Sequence, residues 1–329
     1  HRRISPVQRR VSPVQRHPST GVALAPKAVL IENVPGLLRG RLESYFEYFL
    51  LRLRFPEVER RPAEKWRTHL VRLRSRDQAS DDGDGLTYRV ASSVIQAADF
   101  GVPQRRERVF IVAFRADLGV EWVFPAPTHS LSALLWAQWV SGEYWERHGV
   151  PRRLRLAPPA RFATRVERLR GGARPPLLPW TTVRDALADL PPPASNGAIP
   201  TLPNHVFVPG ARVYEKHTGS PPDEPAKTLK AGDHGVPGGE NILHDLDGSV
   251  RYFTIREAAR LQTFPDDYAF VGTWKTLVRQ LGNAVPVRVV EVLGQRVKDL
   301  LAKAEESVER ESQHEAKTTA SARAPAASG

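Results

Sequence analysis

Two groups of polar side chains stand against apolar runs in this sequence, and a third lies beside a glycine. Glu32 and Asn33 close the run KAVLIENV, Lys27 to Val34. The carboxyl ends of strands form the ligand crevice of an open α/β sheet, so a glutamate there can hold or protonate a substrate. The same glutamate would equally cap the following helix or pair with an arginine. In QRRERVFIV, Gln104 to Val112, three arginines and a glutamate precede a strand-like run. An extended backbone puts Gln104, Arg106 and Arg108 on one face and Arg105 and Glu107 on the other. Two guanidiniums on one face can take a phosphate and a base oxygen together, because the planar fork matches both. A charged flank that keeps a strand edge from aggregating has the same pattern. In RQLGNAVPV, Arg279 to Val287, Gly282 and Asn283 tolerate turn geometry, Ala284 is small enough for close approach, and Pro286 opens a helix. That backbone suits the lining of a cofactor pocket or an ordinary loop-to-helix junction.

The elements that must position these residues alternate in type. KAVLIENV is a short apolar strand stopped by Pro35-Gly36, and LLRGRLESYFEYFLLRLR has helical spacing. LTYRVASSVIQAADFGVPQ reads as strand, helix and turn, with Gly101 and Pro103 as breakers, and RVFIVAFR as the next strand. Such alternation predicts an α/β layer with a parallel sheet. Residues 125–240 hold most of the prolines and no sustained period, which suits an irregular second domain. Helical spacing returns at TIREAARLQTF, where Thr254 and Glu257 form a capping box, and AVPVRVVEVLGQRVKDLL is an amphipathic helix.

At 329 residues two domains are expected from the usual roughly 100 to 200 residues each. Lysine and arginine outnumber aspartate and glutamate 48 to 36, for a formal charge of +12. That balance favours a polyanion such as nucleic acid, although a merely basic-surfaced protein would share it. No stretch approaches the ~18 apolar residues of a membrane span, and the N-terminus lacks a signal-peptide core, so a cytoplasmic protein is expected. The sequence contains 0 cysteines and 0 methionines. Disulfides, thiolate metal sites and a cysteine nucleophile from this chain are thereby excluded. The tandem RRISPVQ and RRVSPVQ, Arg2 to Gln15, is too polar to bury.

The ordered set IENVPGLL, ADFGVPQRRERVFIVAFR, PTHS, TVRDALADLP, DEPAKTLKAGDHGVPGGEN, RYFTIREAARLQTFPDDYAFVG and RQLGNAVPV resembles the DNA (cytosine-5)-methyltransferases of bacterial restriction-modification systems, over roughly residues 25–300. The resemblance implies part of a Rossmann-like domain dependent on S-adenosylmethionine, with a mixed, irregular target-recognition domain. It divides the chain into a disordered basic N-terminus (1–24), the C-terminal part of the catalytic domain (25–124), a target-recognition domain (125–250), a hinge helix returning to the catalytic domain (251–300) and a disordered tail (301–329). Glu32 and Arg108 would grip a flipped cytosine, and Arg106 would support the catalytic loop and phosphate. Asn33, Gln104 and Arg106 would meet double-stranded DNA, while Asn283 and Ala284 would line the methyl-donor pocket. Arg256, Glu257 and Arg260 would organise the recognition domain. The family's glycine-rich donor loop and Pro-Cys loop have no counterpart here. The resemblance therefore implies a chain inactive alone that needs an N-terminal methyltransferase part, lost or carried by a separate subunit. A catalytically silent DNA-binding protein and a non-functional remnant are the alternatives.

Overall fold

A computed structural model describes residues 15–16, 23–79, 85–195, 202–215, 218–231 and 239–322. Its leading elements are β1 (Gln15–Arg16), β2 (Ala23–Leu24), β3 (Ala28–Asn33), α1 (Glu43–Arg54), α2 (Trp66–Gln78), β4 (Tyr88–Gln96) and β5 (Glu107–Arg115). Then follow β6 (His129–Ser130), α3 (Leu131–Trp139), α4 (Glu143–Arg147), α5 (Ala160–Arg170), β7 (Leu178–Pro179) and α6 (Val183–Leu187). The last are β8 (Ile242–His244), β9 (Val250–Tyr252), α7 (Ile255–Leu261), α8 (Trp274–Asn283) and α9 (Val287–Ala322). The chain forms two compact units. One comprises residues 1–94, 109–125 and 293–329, the other residues 95–108 and 126–292.

The first unit is built on a sheet of order β3-β5-β4. β3 and β5 are antiparallel, in register from Ala28 opposite Phe114 to Asn33 opposite Val109. β4 and β5 form a hairpin: Ala116 N–H donates to Thr87 O and, at the other end, Ala97 N–H donates to Arg106 O, both at 2.9 Å. The expected parallel sheet is thus corrected. The segment read as a helix after β4 is strand to Gln96 and then one 3-10 turn, Ala97–Phe100. A parallel crossover needs a dozen or more residues, which this connection lacks. Apolar layers cover both faces of β5, which is why Val109 to Phe114 is buried without alternation. Phe46 and Leu53 of α1 pack with Val109 and Ile111 on one face. On the other, Val112 and Phe114 meet Val297, Leu300, Leu301 and Ala304 of α9.

Two expectations of disorder change here. Residues 15–16 and 23–24 pair as a short antiparallel ladder, and the rest of 1–22 lies outside the described residues. α9 continues to Ala322 where a disordered tail from 301 was expected. Buried Ala304 anchors it, the Lys27–Glu305 ion pair at 2.5 Å adds a second tie, and the following alanine, glutamate and lysine residues are good helix formers.

The second unit carries short strands and helices, as the proline-rich texture predicts. Its core unites Val183 of α6, Ala226, Leu229 and Leu243 with Ala258, Ala259 and Leu261 of α7 and Leu277 and Leu281 of α8. Residues 126–292 therefore fold together, and the expected division at 250/251 falls inside one core.

Candidate functional site

Glu32 and Asn33 end β3 in the first unit, opposite Phe110 and Val109 of β5. Both are half-buried. Period-two alternation puts Glu32 on the face of Ala28 and Leu30, away from Ile31. The Asn33 carboxamide oxygen accepts the Val34 N–H at 2.8 Å, turning the chain as it leaves the strand.

The arginine-rich run begins in the second unit, and its first members have turned inward. Gln104 is fully buried: its amide nitrogen donates to Leu261 O at 3.1 Å, and its oxygen accepts the Leu229 N–H at 3.2 Å. Arg106 is 1% exposed. Its guanidinium donates to Leu229 O at 3.1 Å and to Gly282 O and Ala284 O, each at 2.8 Å. A buried charge needs hydrogen-bond partners, and these carbonyls supply them to both terminal nitrogens, while the buried Nε has none among the described residues. The expectation that Gln104 and Arg106 present a DNA-facing strand edge is corrected: both side chains are spent on the protein's own backbone. The alternation itself holds, with Arg105 half-buried and Glu107 exposed on the opposite side.

The same joint explains Gly282. The residue lies within α8 and is helical, so turn geometry is not its purpose. A Cβ there would stand 2.2 Å from Ala231 N and 2.5 Å from Lys230 C, closer than any side chain permits. Lys230 is held in turn by Asn241, which accepts its N–H at 3.1 Å and donates to its carbonyl at 3.0 Å. Asn283 is the last residue of α8 and is exposed, and Ala284, half-buried, leaves the helix with φ −67 and ψ 151. Pro286 precedes α9 as read from the sequence. Sequence reasoning missed Leu229, Lys230 and Asn241 as members of this joint. Their contribution is mostly backbone, which residue type does not reveal. Arg108 is half-buried and donates to Glu107 O at 2.7 Å.

α7 bears out its capping box. The Thr254 hydroxyl accepts the Glu257 N–H at 3.1 Å, and the Glu257 carboxylate accepts the Thr254 N–H at 2.9 Å and a two-pronged Arg251 guanidinium at 2.6 Å. Buried Arg256 donates to Pro203 O, Pro265 O and Tyr268 O, while Arg260 bridges Asp189 and Asp266. Elsewhere in this unit Asp99 accepts the Trp180 indole N–H at 2.9 Å, and burial raises its carboxyl above the ordinary range.

The model for C-5 cytosine-specific DNA methylase matches residues 74–138 and 212–299 of this chain. The chain belongs to that family. Type II methyltransferase M.MthTI of Methanothermobacter thermautotrophicus is 28% identical over 259 residues, covering 70% of this chain and 62% of that protein. Type II methyltransferase M.NgoFVII of Neisseria gonorrhoeae is 32% identical over 223 residues, covering 67% of this chain and 52% of its own length. The chain thus spans about half to three-fifths of these relatives. A crystal structure of S. pombe Dnmt2 methyltransferase aligns with TM-score 0.43 and 17% identity over 84% of this chain and 66% of that one. Among the described residues no helix is long and apolar enough to cross a membrane.

Proposed function

We propose that this chain forms part of a DNA (cytosine-5)-methyltransferase, which transfers a methyl group from S-adenosylmethionine to carbon 5 of a cytosine in a specific duplex sequence. One observation carries the reading: Arg106, in the first family-matched segment, is hydrogen-bonded to Leu229, Gly282 and Ala284 in the second. The two matched segments are thereby one structural joint rather than two isolated likenesses. Carbon 5 is inaccessible within the base stack, so the cytosine must be flipped out, at a cost of a few kcal/mol. Glu32 then grips the ring nitrogen and amino group, favouring a protonated ring that accepts a nucleophile at carbon 6. Arg108 holds the base carbonyl, where negative charge is stabilised by a guanidinium.

Asn283 and Ala284 suit one wall of the methyl-donor pocket, since an exposed amide can donate and accept and a methyl side chain leaves room. They do not make a whole site. The tight space over Gly282 is filled by the Lys230–Ala231 backbone, and the sequence has no glycine-rich donor loop. With 0 cysteines, the chain supplies no thiolate to attack carbon 6. Both parts belong on this reading to an N-terminal methyltransferase segment. The absence of cysteine also supports a second reading, a sequence-specific DNA-binding protein without catalysis.

A methyl-transfer assay on plasmid DNA, with the chain alone and with a fragment carrying the glycine-rich and Pro-Cys loops, separates them. Incorporation by the assembled mixture only is the expected result. Silence in an assembled, DNA-bound mixture selects the second reading, and incorporation by the chain alone overturns both.

A further inference from the structure

A cavity of about 410 Å³ opens within the second unit, lined by Arg105, Arg161, Lys227, His244 and Gly219, with Glu224 between the arginines. Its walls are tied by backbone bonds rather than by loose side chains. Arg105 N–H donates to Ala226 O at 2.8 Å, Ser220 N–H to Ile242 O at 2.8 Å, and His244 N–H to Ser220 O at 3.0 Å. The Lys227 N–H reaches the Ser220 hydroxyl at 3.0 Å. Gly219 has φ +74, and a Cβ there would meet the His244 Cβ at 3.0 Å and Ile242 O at 3.2 Å, so a side chain at this lining position would be strained and crowded.

Three cationic side chains face one carboxylate. Glu224 binds Arg161 through one oxygen and stands 3.7 Å from Arg105 through the other. The Lys227 ammonium donates to the Thr218 hydroxyl at 2.7 Å and has no ion pair among the described residues. Burial pushes that ammonium below the usual lysine range, with Arg105 and Arg161 adding to the effect against Glu240 and Glu224. The Arg–Glu–Arg network keeps one positive charge in excess and Lys227 adds another, so the lining, with Glu224 as its one carboxylate, stays positive even though Glu240 beyond it also acts on Lys227. The missing partner is an anion whose oxygens can meet a guanidinium fork and an ammonium together, which describes a phosphate group.

We infer that this cavity takes a phosphate of the DNA backbone, gripped by Lys227, Arg105 and Arg161, with Glu224 setting the two guanidiniums. The inference rests on the DNA reading above, and it predicts a contact that anchors DNA without reading its sequence.

The test measures duplex affinity of the full chain against salt concentration. Lys227→Gln and Arg161→Gln should each lower the slope of log affinity against log salt by about 0.9 and weaken every duplex sequence by the same factor. Lys227→Arg, which keeps the charge, and Arg310→Gln, on the exposed end of α9, should keep the wild-type slope. Should both glutamine variants keep that slope while the wild type binds DNA, the inference falls and the DNA reading stands. Should the wild type not bind DNA, the DNA reading and the assigned source of the phosphate both fall. Titration with inorganic phosphate, followed by the His244 ring proton signals, then decides the site itself. A saturable shift lost in Lys227→Gln supports a phosphate site filled from another source, and no shift overturns it.

Discussion

Arg106 and Gly282 illustrate how little a residue's type says about where it will be spent. Arg106 was expected at a strand edge facing a nucleotide, and it closes a buried joint instead, bonded to Leu229, Gly282 and Ala284. Arg106→Ala should lower stability by about 3 kcal/mol, because three carbonyls lose their donor and a large side-chain volume empties. A urea midpoint matching the wild type would contradict that role. Arg106→Lys should recover only part of the loss, since one ammonium cannot span three carbonyls as a guanidinium fork does. Gly282→Ala poses a sharper contest. Alanine gains about 1 kcal/mol of helix propensity, yet its Cβ would overlap Ala231 N at 2.2 Å. Backbone must shift, and overpacking costs about 1 to 3 kcal/mol. A lower melting temperature is expected. An unchanged or higher one would mean that the α8 and 229–231 backbones do not approach as described.

At the scale of elements, the caps were legible and the strand directions were not. Thr254 and Glu257 are three apart before an apolar periodic run, and that local spacing sufficed to find the α7 capping box. α6 has the same device in Thr182 and Asp185, but its helix spans only Val183–Leu187, too short for periodicity to expose it. Burial pushes the Asp185 carboxyl up, but the Thr182 N–H and hydroxyl and the Arg147 cation outweigh it and hold the group below its ordinary value. A depressed carboxyl contributes stability above its unfolded pKa of about 3.9 and loses it as pH falls through the lower folded value. Asp185→Asn should therefore lower the melting temperature at neutral pH, by an amount corresponding to about 1 kcal/mol, and the difference should shrink on acidification below about pH 4. A difference constant with pH would show that the carboxylate charge contributes nothing to the cap. Strand direction failed for a different reason. The apolar run Val109 to Phe114 announces a strand covered on both faces, and coverage by α1 on one side and α9 on the other is met by an antiparallel strand as well as by a parallel one. Only the short link through Ala97–Phe100 carried the information, and it was read as a helix.

Across the whole molecule, family membership was legible because seven motifs keep their order along the chain, whereas each alone had an ordinary structural explanation. Gln104 and Arg106 met neither the nucleotide-facing reading nor the ordinary one of a solvated strand edge, since their buried side chains serve the protein's own backbone. Glu32 and Arg108 differ from them in one respect that bears on function: both are half-buried, each at the end of a strand-like run, and neither is engulfed in the core. This sets up a separation of effects. In the methyl-transfer assay with the N-terminal fragment present, Glu32→Ala and Arg108→Ala should each lower the rate about 10²-fold or more, the range for groups that act on a transition state. Both variants should keep the wild-type melting temperature to within a few degrees. Arg106→Ala should show the reverse balance, losing stability first and activity in proportion to the unfolded fraction. If Glu32→Ala and Arg108→Ala left the rate unchanged, the two would leave the proposed site. If they melted as low as Arg106→Ala, their loss of activity would report folding rather than contact with the base.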